Sequence, residues 1–91
     1  MGIEFGPKKS ESNFKKYGVY FSDVEPVLED PRALTIEDAT SEEEQRFITV
    51  GLDALGRIIT VVWTDTDQEE TYRIISPRKA SYGEAKSYYE D

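Results

Sequence analysis

An α+β domain is the fold class this sequence predicts, and three observations predict it. Helix punctuation stands at both ends of the chain: Pro7 opens a segment that Gly18 closes, and Ser81-Tyr82-Gly83-Glu84 has the form of a capping box. Between these ends the apolar residues alternate, or run together in short segments bounded by polar turns, which is strand patterning. Ninety-one residues without an internal repeat or a low-complexity linker make one domain, residues 1–91, large enough to bury a single core. The order of the signals gives two N-terminal helices, an antiparallel meander sheet of about four strands, and a C-terminal helix.

Taken in order, Ile3 and Phe5 alternate in a short strand or extended arm. Residues 7–17 read as helix, with Phe14 and Tyr17 on one face and Lys8, Lys9, Lys15 and Lys16 around them; Gly18 is the C-terminal stop. Ser22-Asp23-Val24-Glu25 has the capping-box form and opens a second, short helix that Asp30-Pro31 ends. Residues 33–37 predict an edge strand and residues 38–44 an acidic loop. Residues 45–51 alternate as a strand, and residues 52–56 form a hairpin loop. Residues 57–64 are apolar on both faces, which marks the central strand and predicts that Trp63 is largely buried. After a polar turn, residues 70–76 form the last strand, which ends in a turn at Ser76-Pro77. The final helix runs to about Tyr89. Ile48, Val50, Ile59, Val61, Trp63, Tyr72 and Ile74 are expected on the face the helices cover. The other face mixes Phe47, Ile58, Val62 and Ile75 with Thr49, Thr60, Thr64 and Arg73, the composition of an interaction surface.

Composition excludes several chemistries. No cysteine is present, so disulfides, thiolate nucleophiles and Cys-based zinc sites are ruled out. No histidine is present either, which removes the usual general base and imidazole metal ligands. The acidic turn Asp65, Asp67, Glu69, Glu70 lacks the glycine and closing glutamate of a calcium loop, so no metal and no cofactor is expected. No apolar run spans a membrane and the N-terminus has no apolar signal core, so a cytoplasmic protein is expected.

The net charge of −8 is unevenly spread. Residues 1–22 carry four Lys against two Glu, and residues 23–70 carry three Arg against fourteen acids. The acidic total opposes direct DNA binding, and no helix carries a basic stripe suited to a groove. The asymmetry leaves room for a basic site if the two ends of the chain meet in the fold. The strongest candidate is the stretch from Arg73 to Glu84, where Arg73, Arg78 and Lys79 flank apolar Ile74 and Ile75. Cations fixed by a strand can bind phosphate, whereas cations on a free tail remain solvated.

Certain residues also carry a family resemblance. They are Asn13-Phe14-Lys15-Lys16-Tyr17-Gly18-Val19 with Phe21, then Asp30-Pro31 and Ala33-Leu34-Thr35. Glu44-Gln45-Arg46-Phe47-Ile48-Thr49-Val50-Gly51 and Gly56-Arg57 follow, then Arg73-Ile74-Ile75-Ser76-Pro77-Arg78-Lys79-Ala80 with Glu84 and Tyr88. This ordered set, running from Phe5 to Glu90, resembles the BrnT toxins of bacterial type II toxin–antitoxin systems. The resemblance implies a RelE-like fold, metal-independent ribonuclease activity and neutralisation by a BrnA-like antitoxin. It also implies that operator DNA is contacted only through that antitoxin. One position departs from the family, which usually has histidine where this chain has Tyr17.

Cleavage of RNA by its own 2′-hydroxyl requires a held phosphate, stabilised oxygen charge and two proton movements. Arg78 and Arg73 are candidate phosphate donors, with Lys79 and Lys16 adding charge. Glu84 is the candidate base, though it also fits a plain helix cap. Tyr17 is the candidate proton donor, with Tyr88 as the alternative. If the missing histidine is essential, the chain is instead a weak or inactive binding module that serves as the antitoxin's partner. The expected complex contains two toxin chains, since repressor antitoxins dimerise to read two DNA half-sites.

Overall fold

Five strands hydrogen-bond into one mixed sheet in the computed structural model, which describes residues 2–40 and 44–90. The elements in chain order are β1 (Gly2–Glu4), α1 (Pro7–Tyr17), a 3-10 turn (Phe21–Asp23), α2 (Glu25–Glu29), β2 (Leu34–Glu37), β3 (Phe47–Leu52), β4 (Ile58–Asp65), β5 (Thr71–Lys79) and α3 (Tyr82–Glu90). The strand order is β1-β5-β4-β3-β2. The α+β class, the central place of β4 and the edge place of β2 match the sequence expectation. Of the expected acidic loop, Ser41, Glu42 and Glu43 lie outside the described residues. Among the described residues, no helix is long and apolar enough to cross a membrane.

Three expectations about the bounds and pairing of elements need correction. The sheet has five strands, because β1 pairs in parallel with β5 through Gly2–Thr71, Ile3–Tyr72 and Glu4–Arg73. An unpaired β5 would expose a row of backbone donors and acceptors, and β1 covers the first third of that edge. Second, β5 does not turn at Ser76-Pro77 but continues to Lys79, with Pro77 opposite Val61. The Pro77 carbonyl accepts from the Asn13 side chain, so this residue's backbone faces the outer edge, where the missing N–H breaks no ladder bond. Third, no side chain caps α2, and its N-cap is Val24. The Ser22 motif enters a 3-10 turn instead. The capping box at Ser81 does form: the Glu84 N–H donates to Ser81 Oγ at 3.2 Å, and the Ser81 N–H donates to Glu84 Oε1 at 2.8 Å.

The core lies between one sheet face and the chain from Val19 to Val27. Val19, Phe21, Val24 and Val27 are buried against Ile59, Val61 and Ile74, with Ile3, Phe5, Leu28 and Trp63 at the margin. Ile48 and Val50 face the other way, contrary to expectation. β3 pairs Ile48 with Val62 and Val50 with Thr60, which puts Phe47, Thr49 and Gly51 on the core side with Val61 and Ile59. A one-residue change of register moves a whole strand to the opposite face, and the hairpin at Asp53–Arg57 sets that register. The core side takes Gly51 because α2 crosses there: an added Cβ would stand 3.0 Å from the Val27 carbonyl oxygen. Trp63 is largely but not fully buried, at the margin of the core. It lies beyond the helices and is covered by Phe47 and Tyr72, with its indole N–H donating to Thr49 Oγ1 at 2.8 Å.

Helix α1 docks in an unexpected way. Among its residues whose burial is described, Ser10 and Asn13 are the buried ones, while Phe14 and Tyr17 are about two-fifths exposed at 42% and 41%. Ser10 Oγ accepts from the Phe21 N–H, and Asn13 Nδ2 donates to the carbonyls of Val19 at 2.7 Å and Pro77 at 2.9 Å. The inner face is polar because it satisfies backbone groups on the chain it covers. The aromatic stripe is therefore turned outward.

Candidate functional site

Arg78 occupies the C-terminal half of β5, paired with Thr60 of β4 and followed by the short crossing into α3. Its guanidinium meets Glu84 in two parallel bonds, Nη1 to Oε1 at 2.8 Å and Nη2 to Oε2 at 2.9 Å. Nη1 also reaches the Lys79 carbonyl at 3.3 Å. Glu84 also accepts from Thr60 Oγ1 at 3.0 Å and from the Ser81 N–H. The hydrogen bonds from Arg78, more than offsetting partial burial, hold its carboxyl at about 2, well below the ordinary 4.5. The same bonds to Glu84 raise the Arg78 guanidinium above its usual value, with burial opposing and the charges of Glu84 and Tyr17 adding to the rise.

The neighbouring cations come from the end of α1. Gly18 closes that helix in the left-handed region at φ 76°, its N–H donating to the Phe14 carbonyl. The Lys79 side chain lies over Gly18, with Nζ 3.7 Å from where a β-carbon would stand. Arg57 Nη1 donates to the Gly18 carbonyl at 2.9 Å and is itself braced by Asp53, with Nη2 2.7 Å from Oδ2. Lys16 Nζ sits 5.4 Å from the centre of the Tyr17 ring. Lys16 and Tyr17 line one end of an open groove of about 370 Å³ between α1 and β5, which Lys8, Lys9, Ile75 and Ser76 also line. Ile75 reaches this groove as the extra residue of a bulge: Ser76 pairs with Val62 and Ile74 with Trp63.

Of the seven candidate residues, Arg78 is bonded to Glu84 beside Thr60. Lys79, at the next strand position and so on the other sheet face, lies over Gly18 at the end of α1, where Tyr17 and Lys16 stand together. Arg73 stands apart. The partner positions Thr64 and Thr60 put it roughly 13 Å from Arg78 along the sheet. Its Nη2 is 2.7 Å from Glu44 Oε2, in a surface pocket that also holds Glu4, Asp65 and Asp67. Tyr88 is 4% exposed, and its hydroxyl donates to Asp30 Oδ2 at 2.5 Å. That bond, with burial, raises the Tyr88 phenol above its usual range. Asp30 also accepts from the Leu52 and Arg32 N–H groups, so this pair ties α3 to the loop before β2.

Three supporting residues had no role assigned from sequence. Thr60 braces Glu84, Asn13 holds α1 to β5 beside Arg78, and Arg57 holds the end of α1. Asn13 carried a usable signal: with Ser10 it forms a polar i, i+3 pair within a helix whose outer positions are lysines. Thr60 carried none, since a threonine in an apolar strand reads as packing.

The curated proteins offer no match to the chain. A family model described as the ribonuclease toxin BrnT of type II toxin–antitoxin systems matches residues 5–84.

Proposed function

The chain belongs to the BrnT family of ribonuclease toxins of type II toxin–antitoxin systems, and on that premise we propose that it cuts RNA without a metal ion, using the Arg78 site. The observation that carries this reading is the Arg78–Glu84 fork, followed in the strand by Lys79, which lies over the end of α1 where Tyr17 and Lys16 stand. A guanidinium locked in one orientation needs no reorganisation when charge develops on a phosphate, and such preorganised donors supply much of a catalytic site's rate. In the proposed reaction the 2′-oxygen attacks the adjacent phosphorus as the bond to the 5′-oxygen breaks. The products are a 2′,3′-cyclic phosphate and a 5′-hydroxyl.

Arg78 and Lys79 hold the phosphate oxygens in this scheme, Lys16 adds positive charge, and the Tyr17 hydroxyl hands a proton to the leaving 5′-oxygen. Glu84 orients Arg78. A carboxylate held at about 2 is a weak acceptor at neutral pH, so the base role passes to water. Arg73, paired with Glu44, serves RNA binding at a distance or the antitoxin interface, and Tyr88 serves the fold. Family membership implies an antitoxin. We take it to be BrnA-like, to carry the operator-binding part, and to hold two toxin chains in the complex.

The direct test incubates purified chain with single-stranded RNA in EDTA and identifies the new ends. Cyclic phosphate and 5′-hydroxyl ends support the reading. Intact RNA, with the antitoxin still bound tightly, supports the second reading, an inactive partner for the antitoxin. The low carboxylate value of Glu84 and the tyrosine at position 17 favour that second reading.

A further inference from the structure

We propose that the outer face of α1 is a track for single-stranded RNA, with its lysines following the backbone and its aromatic rings stacking unpaired bases. This rests on the ribonuclease reading and names where the substrate runs as it leaves the Arg78 site. The starting point is that α1 turns its aromatic residues outward. Phe14 is 42% exposed and lies flat on Tyr20, which is 39% exposed, with ring centroids 4.0 Å apart and planes within 5°. Tyr17, at 41% exposure, stands one turn along from Phe14. An apolar anchor for a protein core would be turned the other way, where Ser10 and Asn13 stand instead.

Lysines share the helix with these rings, and Lys16 Nζ stands 5.4 Å from the centre of the Tyr17 ring. Lys8, Lys9, Lys15 and Lys16 all lie on α1 against a single acid, Glu11, in a chain whose net charge is −8. Lys8, Lys9 and Lys16 line the groove beside β5, and the groove ends at Tyr17, beside Lys79 and Arg78. Exposed flat rings on a lysine-rich helix suit a flexible, charged, unpaired strand, whose bases offer faces to stack and whose phosphates meet cations. An acidic polypeptide would use the lysines and leave the rings idle. A duplex would hide its base faces. The groove ends at Tyr17, next to Gly18 over which Lys79 lies, and that neighbourhood assigns the track to the substrate.

The test uses a fluorescent single-stranded RNA of about ten nucleotides with every 2′-oxygen methylated, so that it binds without being cut. Binding is read by anisotropy over a range of salt. Each phosphate met by a cation contributes about −0.7 to the slope of log affinity against log salt for a single strand. The Lys8→Gln/Lys9→Gln variant, whose changes are at exposed positions, is expected to flatten that slope by about 1.4 and to weaken binding about tenfold at low salt. Phe14→Leu keeps an apolar cover on Tyr20 and is expected to weaken binding about tenfold while leaving the slope unchanged. An unchanged slope and affinity in the lysine variant overturns the proposal. So does equal binding of a duplex of the same length, or equal competition by oligoglutamate of the same charge. Because this probe cannot be cleaved, loss of the track and loss of the ribonuclease reading are separate results. A chain that binds through Lys8 and Lys9 yet leaves unmodified RNA intact keeps the first and loses the second.

Discussion

Glu84 accepts four hydrogen bonds, two from Arg78 and one each from Thr60 and the Ser81 N–H. All four favour its ionised form, which has a consequence for stability. The folded carboxyl sits at about 2 and the ordinary value is 4.5. Its stabilisation is therefore complete above about pH 4.5 and is lost as the pH falls toward 2. After discounting for solvent screening, the contribution is on the order of 1–2 kcal/mol. Denaturant midpoints measured from pH 6 to pH 2 should fall less steeply for Glu84→Gln than for the native chain. Parallel curves would mean that the fork is not formed in solution. At Tyr17 the prediction concerns rate. A tyrosine phenol ordinarily keeps its proton at neutral pH, whereas an imidazole exchanges it there. Tyr17→His is expected to raise single-turnover cleavage near pH 7, and an unchanged rate would remove Tyr17 from proton transfer. Tyr88→Phe tests the opposite assignment. It deletes only the hydroxyl on Asp30, so it should lower stability by about 1–2 kcal/mol and leave cleavage intact. A large loss of cleavage at native stability would return Tyr88 to the site.

At the scale of elements, α1 is held to β5 by polar contacts, and those contacts position the site. Asn13 bridges Val19 and Pro77, the residue just before Arg78. Asn13→Leu leaves two buried carbonyls unpaired and is expected to cost about 2–4 kcal/mol, read as a shift in the urea midpoint. Cleavage should fall with it, because Lys16 and Tyr17 then lose their fixed place beside Arg78. This element also shows what was legible in the chain. Pro7 and Gly18 announced the ends of α1, because proline and glycine constrain backbone angles locally. Its orientation was not legible, because Phe14 and Tyr17 carry the helical spacing of a core face and only the contacts of Ser10 and Asn13 decide which side turns inward. Strand β4 was legible because apolar residues fall on both its faces, and β3 was placed as a strand but on the wrong face, since register depends on a hairpin loop. Strand β1 is three residues long and parallel to a distant segment, a pairing that no local pattern encodes.

For the whole molecule, the fold turns an acidic chain into one with a cationic side. The first and last parts of the sequence meet where Lys79 lies over Gly18, so α1 and the end of β5 combine their charges. Elsewhere acids dominate, and Glu44 links Arg46 and Arg73 at the far end of the sheet. A basic antitoxin segment is expected to associate faster at low salt, and Glu42→Gln/Glu43→Gln to reduce that salt dependence in stopped-flow mixing. Light scattering of the complex should give two toxin chains. The central claim, however, is that Arg78 stabilises the charge that develops as RNA is cut. Its most direct test is the single-turnover cleavage rate of Arg78→Ala against the native chain, in EDTA, with folding checked by circular dichroism. A fall of about 10²–10³ in rate with the fold retained is the predicted result. A folded Arg78→Ala chain that cuts at the native rate would contradict it.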